Sequence, residues 1–226
     1  AGLGQGARVL EIGCGTGQLT VPLAERGCAV LAVELGPELA AVARRNLAGH
    51  PAAEVVVGAF EDVDVPAAAF DLVVAATSFH WLDPATRVAS AVAALRPGGA
   101  LAVVDTVHMA GGTAPFFVQV QDCYERWDPA TPPGLRLPEI AQIPTARPEL
   151  DGSPLLGPVR LSRYAWDADY TTASYIELLL TYSNHLDLPP DDRAGLLDCI
   201  RTLIDTGFGG RITKRYLTEL RLARRI

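Results

Sequence analysis

The sequence predicts an α/β fold: a seven-stranded, mostly parallel sheet with an antiparallel hairpin at one edge and a covering insertion after the fifth strand. Three observations predict it. Short apolar runs of strand length alternate with amphipathic helical stretches through the first half of the chain, the pattern of βα units joined by right-handed crossovers. A glycine-rich turn, Gly13, Gly15 and Gly17, closes the first run and opens a helix. Two later alternating runs, near the C-terminus and separated by helices and a glycine cluster, supply the edge pair.

The elements follow in order. Residues 7–12 are the first strand. Residues 18–26 form a helix with Leu19, Leu23 and Ala24 on one face, and Gly27 ends it. Cys28 to Val33 is a continuous apolar run, as in a strand buried on both faces, and it leads into the acid Glu34. Gly36-Pro37 opens the second helix, stopped by Gly49 and Pro51. Residues 54–57 are the third strand and 70–75 (FDLVVA) the fourth. A helix over 84–95, a turn at Arg96-Pro97-Gly98-Gly99 and a strand over 100–104 follow. After Asp105 periodicity weakens. A helix fits 114–127, and 129–158 reads as a long loop with one short helix. A loop of that length in a compact domain usually has a function, and residues 106–158 are read as a cover over a ligand site. Residues 159–166 form a strand, 171–186 and 190–206 two helices, and 212–222 the last strand. The whole chain, 1–226, is expected to be one domain: a cofactor-binding core over 1–105, the insertion over 106–158, and C-terminal strands and helices over 159–226.

Composition narrows the function. A net charge of −7 excludes a nucleic-acid backbone as the main partner, because such proteins carry a basic face. The local cluster Arg221, Arg224 and Arg225 reads as a solvated tail. No apolar run reaches membrane-spanning length, so no membrane partner is expected. The four cysteines Cys14, Cys28, Cys123 and Cys199 lack CxxC or zinc spacing. They read as reduced core residues of a cytoplasmic protein, and no metal is expected. Nothing in the pattern speaks to oligomeric state. The sequence opens only a few residues before its first strand, and an N-terminal segment is expected to be missing from it.

The glycine-rich turn decides the ligand class. Dinucleotide sites use G-x-G-x-x-G, with pyrophosphate on the helix N-terminus and an acid on the ribose. This chain has G-x-G-x-G, with Gln18 where a small residue is wanted and Glu11 two residues ahead of the first glycine. A carboxylate there suits an amine-bearing ligand and suits pyrophosphate poorly. The motifs VLEIGCGTG, AVELG, FDLVVA and LRPGG, in that order, resemble class I S-adenosylmethionine-dependent methyltransferases, and the HW pair after the fourth strand resembles the methyltransferase type 11 group with its trans-aconitate methyltransferase-like branch. The resemblance covers residues 7–105.

That resemblance implies a Rossmann-like fold, S-adenosylmethionine as cofactor, and methyl transfer to a small-molecule acceptor. It implies that Glu11 and the backbone of Gly13, Cys14, Gly15 and Gly17 hold the methionine amine and carboxylate, and that Glu34 binds the ribose hydroxyls. Leu35 would pack on the adenine, Phe60 and Glu61 would sit at its edge, and Thr77 would line the wall near the sulfonium. Relatives carry an acid where this chain has Ala59, so the adenine amino group would meet Glu61 or Asp62 instead. His80 is the candidate general base, since imidazole titrates near neutrality and the residue follows the C-terminal end of a strand; His108 is a second. Phe117, Tyr124 and Trp127, with Tyr182 and His185 on a later helix, are candidates to line an acceptor pocket. No N/D-P-P-Y block and no Pro-Cys follows the fourth strand, which counts against methylation of nucleic-acid bases. Two other classes compete: a non-catalytic module that binds the methyl donor, and an NAD(P)-dependent oxidoreductase. For the second, the sole lysine, Lys214, lies far from where a catalytic lysine belongs.

Overall fold

The computed structural model describes residues 3–226; Ala1 and Gly2, where the expected N-terminal segment would join, lie outside the described residues. The chain runs β1 (Arg8–Ile12), α1 (Thr20–Glu25), β2 (Ala29–Glu34), α2 (Pro37–Asn46), β3 (Ala53–Val57), β4 (Phe70–Ala76), α3 (Arg87–Ala94), β5 (Leu95–His108), α4 (Ala114–Trp127), α5 (Pro148–Asp151), β6 (Arg160–Thr171), α6 (Thr172–Leu179), α7 (Ser183–Leu186), α8 (Pro190–Gly207) and β7 (Arg211–Arg224). The seven strands lie in the order β3-β2-β1-β4-β5-β7-β6. The five from β3 to β5 are parallel, and the edge is antiparallel.

Packing divides the chain into two compact units. The first takes the chain as far as Thr106, with Thr145–Arg163 and Glu219–Ile226; the second is Val107–Pro144 with Tyr164–Thr218. The insertion outlined over 106–158 is thus shared. Its last part packs in the first unit, where Leu150 and Leu156 are core residues.

In the first unit the central strands are apolar on both faces because both faces are covered. Leu10, Val73, Leu101 and Val103 point to one cluster with Phe79 and Val92. Val9, Val30, Ala32 and Leu72 point to the other, with Ala40 and Ala43 of α2. Ala40 and Ala43 are fully buried, and only small side chains there let the helix lie close on the sheet. Register brings Leu10 opposite both Leu31 and Val73, and Ile12 opposite Val33 and Ala75. The C-terminal ends of β1, β2 and β4 therefore stand level.

Four sequence expectations are corrected here. The turn at Arg96-Pro97-Gly98-Gly99 is part of β5, which starts at Leu95 directly after α3. The β4–β5 register slips between Phe70, opposite Leu95, and Leu72, opposite Ala100, so the extra residues form an irregularity inside the ladder. The arginine cluster is not a solvated tail. Arg221 and Arg224 belong to β7, and Arg221 is buried, paired with Glu219 at 3.0 Å and Asp105 at 3.5 Å. Arg224 donates to the Gly98 carbonyl at 2.8 Å, and Arg225 to the carbonyls of Val92 and Leu95. The alternation Leu220, Leu222 with arginines between is the signature of a paired strand, masked by its charge. Asp105 also pairs with Arg147, which in turn holds Glu149 at 2.6 Å, while Glu149 takes Arg87 of α3. Partial burial pushes the Glu149 carboxyl up, but the bonds from Arg147 and Arg87 outweigh it and hold the group below its usual range.

In the second unit α4, α6 and α8 bury Phe116, Tyr175, Leu196, Ile200 and Ile204 in one cluster. The single helix expected over 171–186 is two, because the chain straightens at Tyr182 (φ −89°, ψ 126°) between α6 and α7. The fourth correction concerns thiols. Cys123 and Cys199 are not reduced core residues: they form a disulfide between α4 and α8, with Cα atoms 5.8 Å apart. Cys14 and Cys28 are free and buried, as expected. Sequence spacing of 76 residues carries no signal of a bridge; the antiparallel approach of two helices creates it.

A loop of that length predicts a stabilisation of about 4 kcal/mol from closing it. Reduction is expected to lower Tm on the order of 10 °C. In denaturant without reductant, two thiols should titrate, Cys14 and Cys28; four thiols would contradict the bridge.

Candidate functional site

The level ends of β1, β2 and β4 open on a cavity of about 580 Å³ in the first unit. Seven of the residues singled out in the sequence line it: Gly13, Gly15, Glu34, Leu35, Phe60, Glu61 and Thr77. The glycine-rich turn is held by the end of β2. The N–H groups of Gly13 and Cys14 donate to the Val33 carbonyl at 2.8 and 3.3 Å. The Gly15 N–H donates to Glu34 Oε2 at 2.8 Å, and the Gly36 N–H donates to Glu34 Oε1 at 2.9 Å. One carboxylate thus clamps the turns after β1 and β2 together, while each oxygen keeps a second acceptor position.

Gly13 has to be glycine. Its φ is +72°, and an added Cβ would lie 2.5 Å from Cβ of Ser78. Ser78 in turn hydrogen-bonds the Ile12 carbonyl, tying the turn after β4 to β1. The neighbouring Thr77 has φ +55°, a left-handed conformation that is strained for a branched residue; its N–H donates to the Val104 carbonyl at 2.7 Å. Strain of this kind collects at ligand sites, where surrounding bonds over-determine it.

Glu11, Cys14, Gly17 and His80 are not among the lining residues. Glu11 lies beneath the turn, 1% exposed, accepting a 2.7 Å bond from the Thr20 hydroxyl at the start of α1. Burial pushes its carboxyl up to about 7; the Thr20 bond opposes this and the Glu34 charge adds to it. Burial also pushes the Cys14 thiol up, to about 12, with Glu11 and Glu34 adding to it, so this cysteine is no nucleophile. His80 is exposed, and its ring lies 4.8 Å from that of Trp81.

Among the lining residues not singled out as site residues are Ser78, Leu39, Leu82 and Trp81. Trp81 is 74% exposed at the cavity. With Leu35 and Leu39, also exposed, it gives the cavity an apolar rim suited to a flat ring. The HW pair after the fourth strand was the signal for it. No lining residue is Lys, Arg or His, while Glu34 and Glu61 are carboxylates. The site thus favours cationic and hydroxyl-bearing groups and opposes a pyrophosphate.

The acceptor-pocket candidates also come together, within the second unit. His108, Phe117, Tyr124, Tyr182 and His185 line a cavity of about 260 Å³, and Trp127 does not. Burial, then the Lys214 charge, pushes His108 down to about 4.

The methyltransferase domain family matches residues 10–103. An uncharacterized methyltransferase of Mycobacterium tuberculosis is 40% identical over 97 residues, which are 43% of this chain and 39% of the relative. A ubiquinone biosynthesis O-methyltransferase of Xylella fastidiosa is 40% identical over 102 residues, 43% of this chain and 41% of the relative. The match therefore spans about two-fifths of the length of these curated relatives. Among solved structures, the YcgJ protein of Bacillus subtilis shares the fold with a TM-score of 0.61 at 18% identity, over 100% of this chain and 94% of that one. The matched segment contains Gly13, Gly15, Glu34, Phe60, Glu61 and Thr77, and over residues 10–103 the chain is similar to methyltransferase domains.

Proposed function

We propose that the chain transfers a methyl group from S-adenosylmethionine to a small-molecule acceptor. One observation carries the reading: the first-unit cavity combines carboxylates and an apolar rim with no cationic side chain. The ligand it fits has a positive charge, a ribose and a flat base, and lacks phosphate. When bound, S-adenosylmethionine supplies a methyl group on a sulfonium, already activated for direct displacement. The protein's part is alignment and exclusion of water. Glu34 accepts from the ribose hydroxyls with the lone pairs that Gly15 and Gly36 leave free. Leu35 and Trp81 hold the adenine, with Phe60 and Glu61 at its edge. The turn over Gly13–Gly17, with the Glu11 charge beneath it, receives the methionine end. Thr77 forms the wall near the sulfonium. We assign acceptor choice to residues 107–144 and the helices after 170, whose cavity contains the aromatic and histidine candidates. His80 is the proposed base for an acceptor that must lose a proton.

Calorimetric titration with S-adenosylmethionine, S-adenosylhomocysteine and NAD(P) tests the cofactor reading. The first two should bind and NAD(P) should not; the reverse order of affinity would refute it. Binding without turnover on any acceptor of a broad screen would favour the regulatory module instead. Glu34→Ala should weaken both adenosyl ligands about tenfold or more, the scale of hydrogen bonds to a charged group; unchanged affinity removes the ribose assignment.

Glu11 gives the site a pH dependence. Its folded pKa, about 7, is above the ordinary 4.5, so the folded chain holds the proton up to near neutrality. The associated stability is complete below the ordinary value and is lost as pH rises through about 7, a swing of about 3 kcal/mol. A cationic amine favours the ionised form. Binding should therefore release protons at pH 6 and tighten towards pH 8, and Glu11→Gln should remove this component. Identical proton release by wild type and Glu11→Gln, read from calorimetry in buffers of different ionisation enthalpy, would sink the assignment. Once an acceptor with an ionisable O–H or N–H is found, His80→Ala should lower kcat about a hundredfold while leaving cofactor affinity unchanged; undiminished turnover would show that His80 is not the base.

A further inference from the structure

The second-unit cavity has a residue the cofactor site does not use. Lys214 is the only lysine in the chain, every other Lys/Arg position being arginine. It lines the cavity and is 4% exposed. Its Nζ lies over the rings of Tyr175, Tyr182 and Tyr216, at 5.7, 5.6 and 5.2 Å from their centroids. Among the described residues no carboxylate pairs with it, and burial alone pushes its ammonium down to about 8. Asp128, the carboxylate that lines the cavity, is committed to its own turn, taking the Ala130 N–H and the Thr131 hydroxyl, both at 3.0 Å. The tyrosine faces offset part of the desolvation cost, as cation–π contacts do, but they supply no counter-charge.

Two more buried polar atoms on the cavity's lining residues have no partner: Gln121 Oε1 and His185 Nδ1. Gln121 is 7% exposed and His185 3%. The Gln121 amide nitrogen donates to the Phe117 carbonyl at 3.2 Å, so its oxygen is the free end. The Tyr124 hydroxyl lies 3.0 Å from His185 Nε2. That bond satisfies Nε2 and leaves Nδ1 as the open ring nitrogen. Native interiors satisfy nearly all buried polar atoms. A buried cation and two unsatisfied polar atoms on residues lining the same cavity call for a ligand.

We propose that this cavity binds a small organic acid, whose carboxylate pairs with the Lys214 ammonium and whose apolar body lies against Phe117, Leu137 and Leu179. A hydroxyl on the ligand donates to Gln121 Oε1, and His185 Nδ1 hydrogen-bonds a further oxygen. A lysine suits the place because its compact ammonium fits among three rings, whereas a guanidinium would need a planar partner. The proposal deepens the acceptor assignment above and rests on it only for the fate of the bound acid; binding itself is read without cofactor.

The test is calorimetry on the full chain, without S-adenosylmethionine, against acetate, lactate, benzoate and 4-hydroxybenzoate, each beside its neutral amide. At least one acid should bind, about tenfold or more tighter than its amide, with the hydroxylated acid ahead of its parent. Lys214→Met should reduce the acid to the affinity of the amide while leaving S-adenosylmethionine binding intact, which separates this site from the cofactor site. Equal binding of acids and amides, or binding by none of the four acids, overturns the proposal. If Lys214→Met does not fold, the wild-type chain still decides. A binding acid should protect the single lysine from acylation, read by peptide mass, and acylation at the same rate with and without the acid overturns it.

Discussion

The Glu34 carboxylate, held between the N–H groups of Gly15 and Gly36, is the interaction on which the first-unit cavity depends. It stands at the end of β2, and parallel register places Ile12 of β1 opposite Val33 beside it. The turn after β1 and the turn after β2 are therefore neighbours by topology, and one side chain closes both. Loss of the carboxylate would free the Gly15 and Gly36 N–H groups together and release the glycine-rich turn from β2. Each oxygen keeps a lone pair able to accept a further hydrogen bond.

Beneath that clamp the site is tuned by burial. Two acids, Glu11 and Glu34, come close enough to raise the Glu11 pKa, and no cationic side chain lines the cavity. A dinucleotide site is built the opposite way, with a helix N-terminus and free N–H groups offered to phosphate. Here the N–H groups of Gly13, Cys14 and Gly15 are committed to Val33 and Glu34. The glycines serve shape: Gly13 leaves room for Ser78, and a side chain there would push the turn after β4 off β1. The second unit differs, with a buried ammonium among tyrosine rings and, among the described residues, no carboxylate paired to it. One cavity is lined by carboxylates and the other holds the buried ammonium.

Much of this was legible in the sequence. Strand positions followed from apolar runs, because a sheet covered on both faces needs them. Helix α4 was read at its observed bounds, since Pro115 opens it and the chain turns extended at Asp128. The ligand class followed from Glu11 and Gln18 against the glycine spacing. The misreadings share one cause. Arg221 was taken for a surface charge because its partners Asp105 and Glu219 are brought to it only by β5 and β7. The Arg96–Gly99 turn hides in a strand because an irregular ladder has no periodicity to read. Cys123 and Cys199 looked like isolated thiols because helices α4 and α8 meet only after 76 residues of chain.

The sequence by itself therefore determined the fold class, the mostly parallel seven-stranded sheet with its antiparallel edge, and the place of the glycine-rich turn. These depend on local periodicity and on residues within a few positions of each other. Only the tertiary structure decided which charges are buried, which cysteines join, that Trp81 faces the cofactor cavity, and that Lys214, His185 and Gln121 stand around one space. Burial and pairing are properties of distant segments brought together. A lone lysine in a strand carries no mark of its environment until the rings of Tyr175, Tyr182 and Tyr216 close around it.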